Sequence, residues 1–147
     1  MFQDRKDLLQ MQSSKLESSN ELDAAEQFVK IYYEKLDKQQ HQSIARLYLP
    51  EALFVWNGIS NVGPDKIQQF LTQLPPCTHT IYSFDMQRIH DNNNPVPNQK
   101  TYVIKTGGQV RFKDHPPKQF FQTFFTVSDR EKYRISIDNY RCLGGTP

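Results

Sequence analysis

The sequence predicts an α+β domain in which three helices pack on one face of a curved antiparallel sheet. Three observations carry that expectation. Apolar residues recur at helical spacing only ahead of Pro75-Pro76. Four long runs rich in β-branched and aromatic residues then follow in succession. One of these, KQFFQTFFTV from Lys118, is apolar on both of its faces. Helices first and strands afterwards mark the α+β class, with the helices segregated on the sheet.

The 147 residues make one domain, long enough to bury a sizeable core. Hydrophobic residues are a lowish 37%, but ten Phe, seven Tyr and one Trp each bury a large area. Net charge is +2, with 18 basic and 16 acidic residues spread along the chain. No Lys/Arg run tracks a phosphate backbone, so direct tight nucleic-acid binding is not expected. The start, MFQDRKDLLQ, lacks the apolar run of a secretory signal, and no segment has the length of a membrane span. Cys77 and Cys142 are the two cysteines and no glycosylation sequon occurs, which points to a reducing intracellular compartment and free thiols. The cysteines have no metal-ligand spacing, and His41, His79, His90 and His115 are scattered, so neither a metal nor a cofactor is expected.

In chain order, residues 1–18 read as a polar tail, frayed or partly helical. Ser18 and Glu21 then fit a capping box. Leu22, Ala25, Phe28, Val29, Tyr32, Tyr33 and Leu36 form the stripe of a long amphipathic helix. Ile44, Leu47 and Tyr48 suggest a short second helix stopped by Pro50. Ala52–Trp56 is a short strand ended by the turn dipeptide Asn57-Gly58. Gly63-Pro64-Asp65 opens a third helix with a stripe of Ile67, Phe70, Leu71 and Leu74. Strands are predicted near 79–90, 100–113, 118–128 and 132–142. Their connections are the Asn/Pro-rich loop Asn92–Asn98, the stiff loop His115-Pro116-Pro117 and a tight turn at Asp129-Arg130-Glu131. Gly107-Gly108 in mid-strand marks a bulge or bend. The domain is placed at 19–143, followed by a C-terminal tail of residues 144–147.

The sheet's second face is the informative one. Phe120 and Phe124 point one way, and Phe121, Phe125 and Val127 the other. Strands apolar on both faces are covered on both, and three helices cover one. A buried Phe contributes roughly 1.5–3 kcal/mol relative to an exposed one, so a partner protein is the economical cover. A curled sheet or a folded-back tail is the alternative. In the strand TIYSFDMQRIHD, alternation assigns Tyr82, Phe84 and Met86 to the core and Ile81, Ser83, Asp85, Gln87 and Ile89 to the second face. Asp85 is then either a solvated acid or a carboxylate that meets a partner's cation and so selects that partner.

The stretches AAEQFVKIYYEKLDK, ARLYLPEALFVWNG, FLTQLP, IYSFDMQRIHD, GGQVRF, FFQTFF and DNYR, in this order and spacing, resemble the nuclear transport factor 2-like family. The likeness covers about residues 24–142 and is strongest to the export proteins that form the small subunit of the mRNA export receptor. It implies a cone-shaped α+β domain that pairs, sheet to sheet, with the similar domain of a large subunit. An acid at Asp85 would pair with an arginine of that subunit, and an arginine at Arg141 with an acid there. The implied interface residues are Asp85, Arg141, Gln87, Ile89, Phe121, Phe125 and Val127. The large subunit would carry the RNA cargo and most nucleoporin contacts, so this chain would touch RNA only indirectly. It would shuttle between nucleus and cytoplasm through the pore. Departures from the family pattern are a longer N-terminal segment, a short LGGTP end, and Phe121 where relatives are polar.

Two rivals remain at this level. Similar folds host dehydratases and isomerases, for which Asp138, His90, Tyr32 and Tyr48 are the candidate groups, although no titratable pair is forced together by the sequence. Trp56, Phe54 and Tyr33 instead read as residues that fill the cone. The second rival is a homodimeric carrier of GDP-bound Ran, whose face would have to be self-complementary.

Overall fold

The computed structural model describes residues 2–89, 99–129 and 132–147, and the side chains of these from residue 20 onwards, Asp129 excepted. The elements are α1 (Phe2–Asp37), α2 (His41–Ala45), β1 (Tyr48–Trp56), β2 (Ile59–Val62), α3 (Pro64–Thr72), β3 (Cys77–Ile89), β4 (Gln99–Phe112), β5 (Lys118–Asp129) and β6 (Lys132–Cys142). The expected loop Asn92–Asn98 and most of the turn after Asp129 lie outside the described residues.

One six-stranded sheet has the order β2-β1-β6-β5-β4-β3. The predicted meander is β3 to β6, antiparallel throughout. The sheet as a whole is mixed, because β1 lies parallel to β6. That pairing needs a long crossover, which β2, α3 and the rest of the meander supply. Pairing of β1 begins at Tyr48, so Tyr48 and Pro50 belong to a strand and α2 is shorter than expected. The unforeseen strand β2 follows from Asn57-Gly58, whose φ values of 49° and 84° make the two-residue hairpin turn that those residues favour.

Helix α1 runs through Ser18 without a start there. Serine inside a helix costs only about 0.5 kcal/mol relative to alanine, and Glu21 has other partners. Its carboxylate lies 3.2 Å from Lys100 Nζ and 3.5 Å from an Arg88 nitrogen on the sheet. The stripe from Ala25 to Leu36 is buried as expected, but Leu22 is 40% exposed. From α3, Ile67 and Leu71 enter the core, with Phe70 and Leu74 partly buried against it.

The inner face of the sheet supplies the rest of the core: Tyr102, Ile104, Val110, Phe112, Phe120, Phe124, Ile135 and Tyr140. Trp56 stacks on Tyr140 at 3.6 Å between ring centroids. The indole N–H, buried and in need of an acceptor, donates to Thr146 Oγ1 at 2.8 Å. Asn57 donates to the same oxygen, and Lys118 donates to the Gly145 carbonyl, so the expected C-terminal tail is tied to the sheet.

Candidate functional site

Which side chains reach the outer face is decided by a bulge in β3. Ile81 pairs with Gly108 and Ser83 with Gly107, leaving Tyr82 as the extra residue. The glycines permit this close approach: a Cβ on Gly108 would lie 1.9 Å from the Thr80 carbonyl oxygen, and one on Gly107 2.7 Å from Ser83 Oγ. The bulge breaks simple alternation. Tyr82, expected in the core, is 70% exposed, while Ile81, expected outside, packs against the core. Beyond the bulge the parity holds, with Phe84 and Met86 inward and Asp85, Gln87 and Ile89 exposed.

The registers lay the outer residues out in rows. Gln87, Val103, Phe125, Ile137, Leu53 and Val62 face one another successively across all six strands. This row is apolar except at its β3 end. A neighbouring row runs Ile89, Thr101, Val127, Arg134, and on the other side lie Asp85, Lys105, Thr123, Asn139 and then Ser83, Gly107, Phe121, Arg141. Phe121 is 57% exposed, and Ile137 and Val62 are also exposed. Phe120 and Phe124, one residue away from their outer neighbours, are fully buried. Phe121, Phe125 and Val127 are therefore the outer set. Tyr82 and Phe121 also flank a shallow hollow of about 380 Å³ above Gly107 and Gly108.

Asp85 and Arg141 share this face on opposite sides of β4 and β5, roughly 16 Å apart by strand spacing and rise, so they do not neutralise each other. Among the described residues Asp85 has no ion-pair partner within 4.0 Å. It is also the single described acid at an outward position of β3 to β6, against Lys105, Arg111, Lys132, Arg134 and Arg141. The face is thus an apolar band in a mainly cationic surround.

The inside of the cone holds a different constellation. Asp138 is fully buried and accepts hydrogen bonds from Tyr32 at 2.8 Å, Tyr48 at 2.6 Å and Gln122 at 2.7 Å. Tyr33 donates to the Gln122 carbonyl oxygen and accepts from Thr106. Burial pushes the Asp138 carboxyl up to about 6, and the three donors restrain the rise. Burial likewise raises the Tyr32 and Tyr48 phenols, which stay neutral. The sequence offered Asp138, Tyr32 and Tyr48 as separate candidates, and the structure joins them. His90 lies outside the described residues. The joined groups hydrogen-bond one another, are fully buried, and pack against Phe124 at Tyr32 and Phe54 at Tyr48, an arrangement that fixes a core.

The nuclear transport factor 2 (NTF2) domain family matches residues 24–142, most of the chain. The chain belongs to the NTF2 family. It is 37% identical over 122 residues to NTF2-related export protein 2 of Mus musculus, covering 80% of this chain and 84% of that one. Identity to NTF2-related export protein 2 of Homo sapiens is 32% with the same coverage. Among solved structures it is similar to nuclear transport factor 2 of Cryptosporidium parvum, with a TM-score of 0.67, 25% identity, and coverage of 80% of this chain and 90% of that one.

One feature of this NTF2 domain escaped the sequence reading. Asp37, Cys77 and His79 converge where α1 meets β3. The His79 ring N–H donates to Asp37 Oδ1 at 2.7 Å, and the His79 backbone N–H donates to Oδ2, also at 2.7 Å. The Cys77 thiol points at the same carboxylate from 3.9 Å. Burial, then the Asp37 charge, push that thiol up to about 12. Cys77 and His79 are two apart on a strand and so share a face. Asp37 comes from 40 residues earlier, and spacing alone gave no sign of it.

Proposed function

We propose that this NTF2-family chain is a non-catalytic subunit in nuclear export, pairing its outer sheet face with the similar domain of a large mRNA export receptor subunit. The observation that carries the reading is the apolar row from Val103 through Phe125 and Ile137 to Leu53, half-buried at Val103, Phe125 and Leu53 and exposed at Ile137, on the face that also bears Asp85 and Arg141. Phe121, Phe125 and Val127 supply apolar area, and Gln87 and Ile89 extend the contact. Asp85 receives a partner's cation and Arg141 its acid. Within the resulting complex, RNA and nucleoporins are engaged chiefly by the large subunit, and the pair shuttles between nucleus and cytoplasm. Among the described residues no helix is long and apolar enough to cross a membrane.

The charge pattern favours a different polypeptide over a second copy. A two-fold interface sets each patch against itself, which here would bring two cation-rich faces together. A partner with an acidic face and one well-placed arginine complements it. A homodimeric Ran carrier is the reading this disfavours.

The test is a pull-down of the large subunit's NTF2-like domain by the wild-type chain and by Asp85→Arg, with circular dichroism on both. The reading predicts capture by the first, none by the second, and the same folded spectrum for each. Equal capture by a folded Asp85→Arg chain would refute it.

A further inference from the structure

We propose that Asp37, Cys77 and His79 form a binding site for a divalent cation of the zinc class at the junction of α1 and β3. The three donor atoms already converge. Asp37 Oδ1 lies 2.7 Å from His79 Nδ1, and Cys77 Sγ lies 3.9 Å from that oxygen and 4.0 Å from that nitrogen. Ordinary zinc bond lengths in a tetrahedron hold such atoms about 3.3–3.6 Å apart. Adjustments of roughly half an ångström therefore bring all three to bonding positions.

The groups that orient the ligands are in place as well. Asp37 Oδ2 keeps the His79 backbone N–H at 2.7 Å while Oδ1 turns to the ion. His79 Nε2 lies 2.8 Å from the Tyr140 hydroxyl. With a metal on Nδ1, the ring proton resides on Nε2 and is donated to that hydroxyl oxygen. Ligating histidines are held by such a bond on their other nitrogen. Tyr140 is fully buried, and burial keeps its phenol protonated.

One sulfur, one imidazole and one carboxylate suit Zn²⁺, whereas Mg²⁺ and Ca²⁺ take oxygen ligands. Asp37 and His79 border a hollow of about 530 Å³ between α1 and β3, and the Asp37 side chain is the partly exposed one of the two. On binding, a sulfur–metal bond forms and the thiol proton leaves to solvent; the ion itself ionises a thiol that burial otherwise keeps protonated. The placement is favourable for a cation. Asp37 is the last residue of α1, where the helix dipole opposes a carboxylate and welcomes positive charge. Cys77 is the first residue of β3, so the ion ties the end of the helix to the edge strand.

The full chain, freed of metal with a chelator, is titrated with Co²⁺. One equivalent is expected to bind with a sulfur-to-cobalt charge-transfer band and the strong visible bands of four-coordinate cobalt. Zn²⁺ should displace it and raise the melting temperature by several degrees over the chelated chain. Cys77→Ser should remove the charge-transfer band, and Cys142→Ser should retain it. Absence of the band in the unaltered chain, or its survival in Cys77→Ser, overturns the proposal. If Cys77→Ser does not fold, Asp37→Asn decides: cobalt affinity must fall at least roughly tenfold, and an unchanged affinity refutes the site.

Discussion

Asp85 stands directly opposite Lys105 in the β3–β4 ladder, yet no ion pair joins them. The acid is therefore presented outward beside the apolar row, and its charge remains available to another molecule. If that charge serves a partner and not the sheet, Asp85→Ala should leave the far-ultraviolet spectrum and melting of the isolated chain unchanged. Binding to the large subunit's NTF2-like domain, measured by calorimetry, should weaken at least about 30-fold, because truncating a buried interfacial pair typically costs 2–5 kcal/mol.

Phe120 and Phe121 are neighbours with opposite burdens. Phe120 is fully buried and packs against Tyr140 and His79, whereas Phe121 is exposed. Phe120→Ala should destabilise the fold by about 3–5 kcal/mol in urea unfolding. Phe121→Ser should change stability by no more than about 0.5 kcal/mol, while weakening capture of the partner. A stability loss in both would mean that the outer face contributes to the core.

The β3 bulge rests on Gly108. Its missing Cβ would strike the backbone oxygen of Thr80, which has no freedom to rotate away. Gly108→Ala should cost about 1–3 kcal/mol and, by disturbing the register beyond Ile81, reduce partner binding as well. A neutral effect in both assays would show that the two strands separate without penalty.

Asp138 makes a prediction about pH with a definite sign. Its carboxyl is raised from 3.8 to about 6 by burial, so the folded chain holds this proton more tightly than the unfolded one. Its contribution to stability accordingly declines as pH rises from about 4 through 6 and is level above that. Relative to Asp138→Asn, the wild-type chain should lose on the order of 3 kcal/mol across this window. Urea unfolding of both proteins at several pH values checks it, and a difference that grows in the opposite direction would contradict the burial account.

Much of this molecule is legible from residue order. The helical stripe from Ala25 to Leu36, the Pro64 start of α3 and the four meander strands follow from periodicity and turn chemistry. Alternation separates Phe121, Phe125 and Val127 from Phe120 and Phe124, but which set meets the helices is decided by the burial of Phe120 and Phe124 in the folded chain. Tyr82 and Ile81 were misplaced because a bulge adds one residue and reverses parity locally. The glycines announcing that bulge sit on the opposite strand, β4, so their effect on β3 appears once the strands are paired. The parallel β1–β6 pair and the Asp37–Cys77–His79 group depend on contacts between segments far apart in sequence, where local pattern is silent. The Asp138 network has the same origin: Tyr32, Tyr48, Gln122 and Asp138 come from four different elements.

Sedimentation velocity of the purified chain, alone and mixed with the large subunit's NTF2-like domain, tests the central claim most directly. The account predicts a single one-to-one heterodimer in the mixture, absent when Asp85→Arg replaces the wild type. A salt-insensitive homodimer of this chain that forms no new species with the large subunit would contradict it.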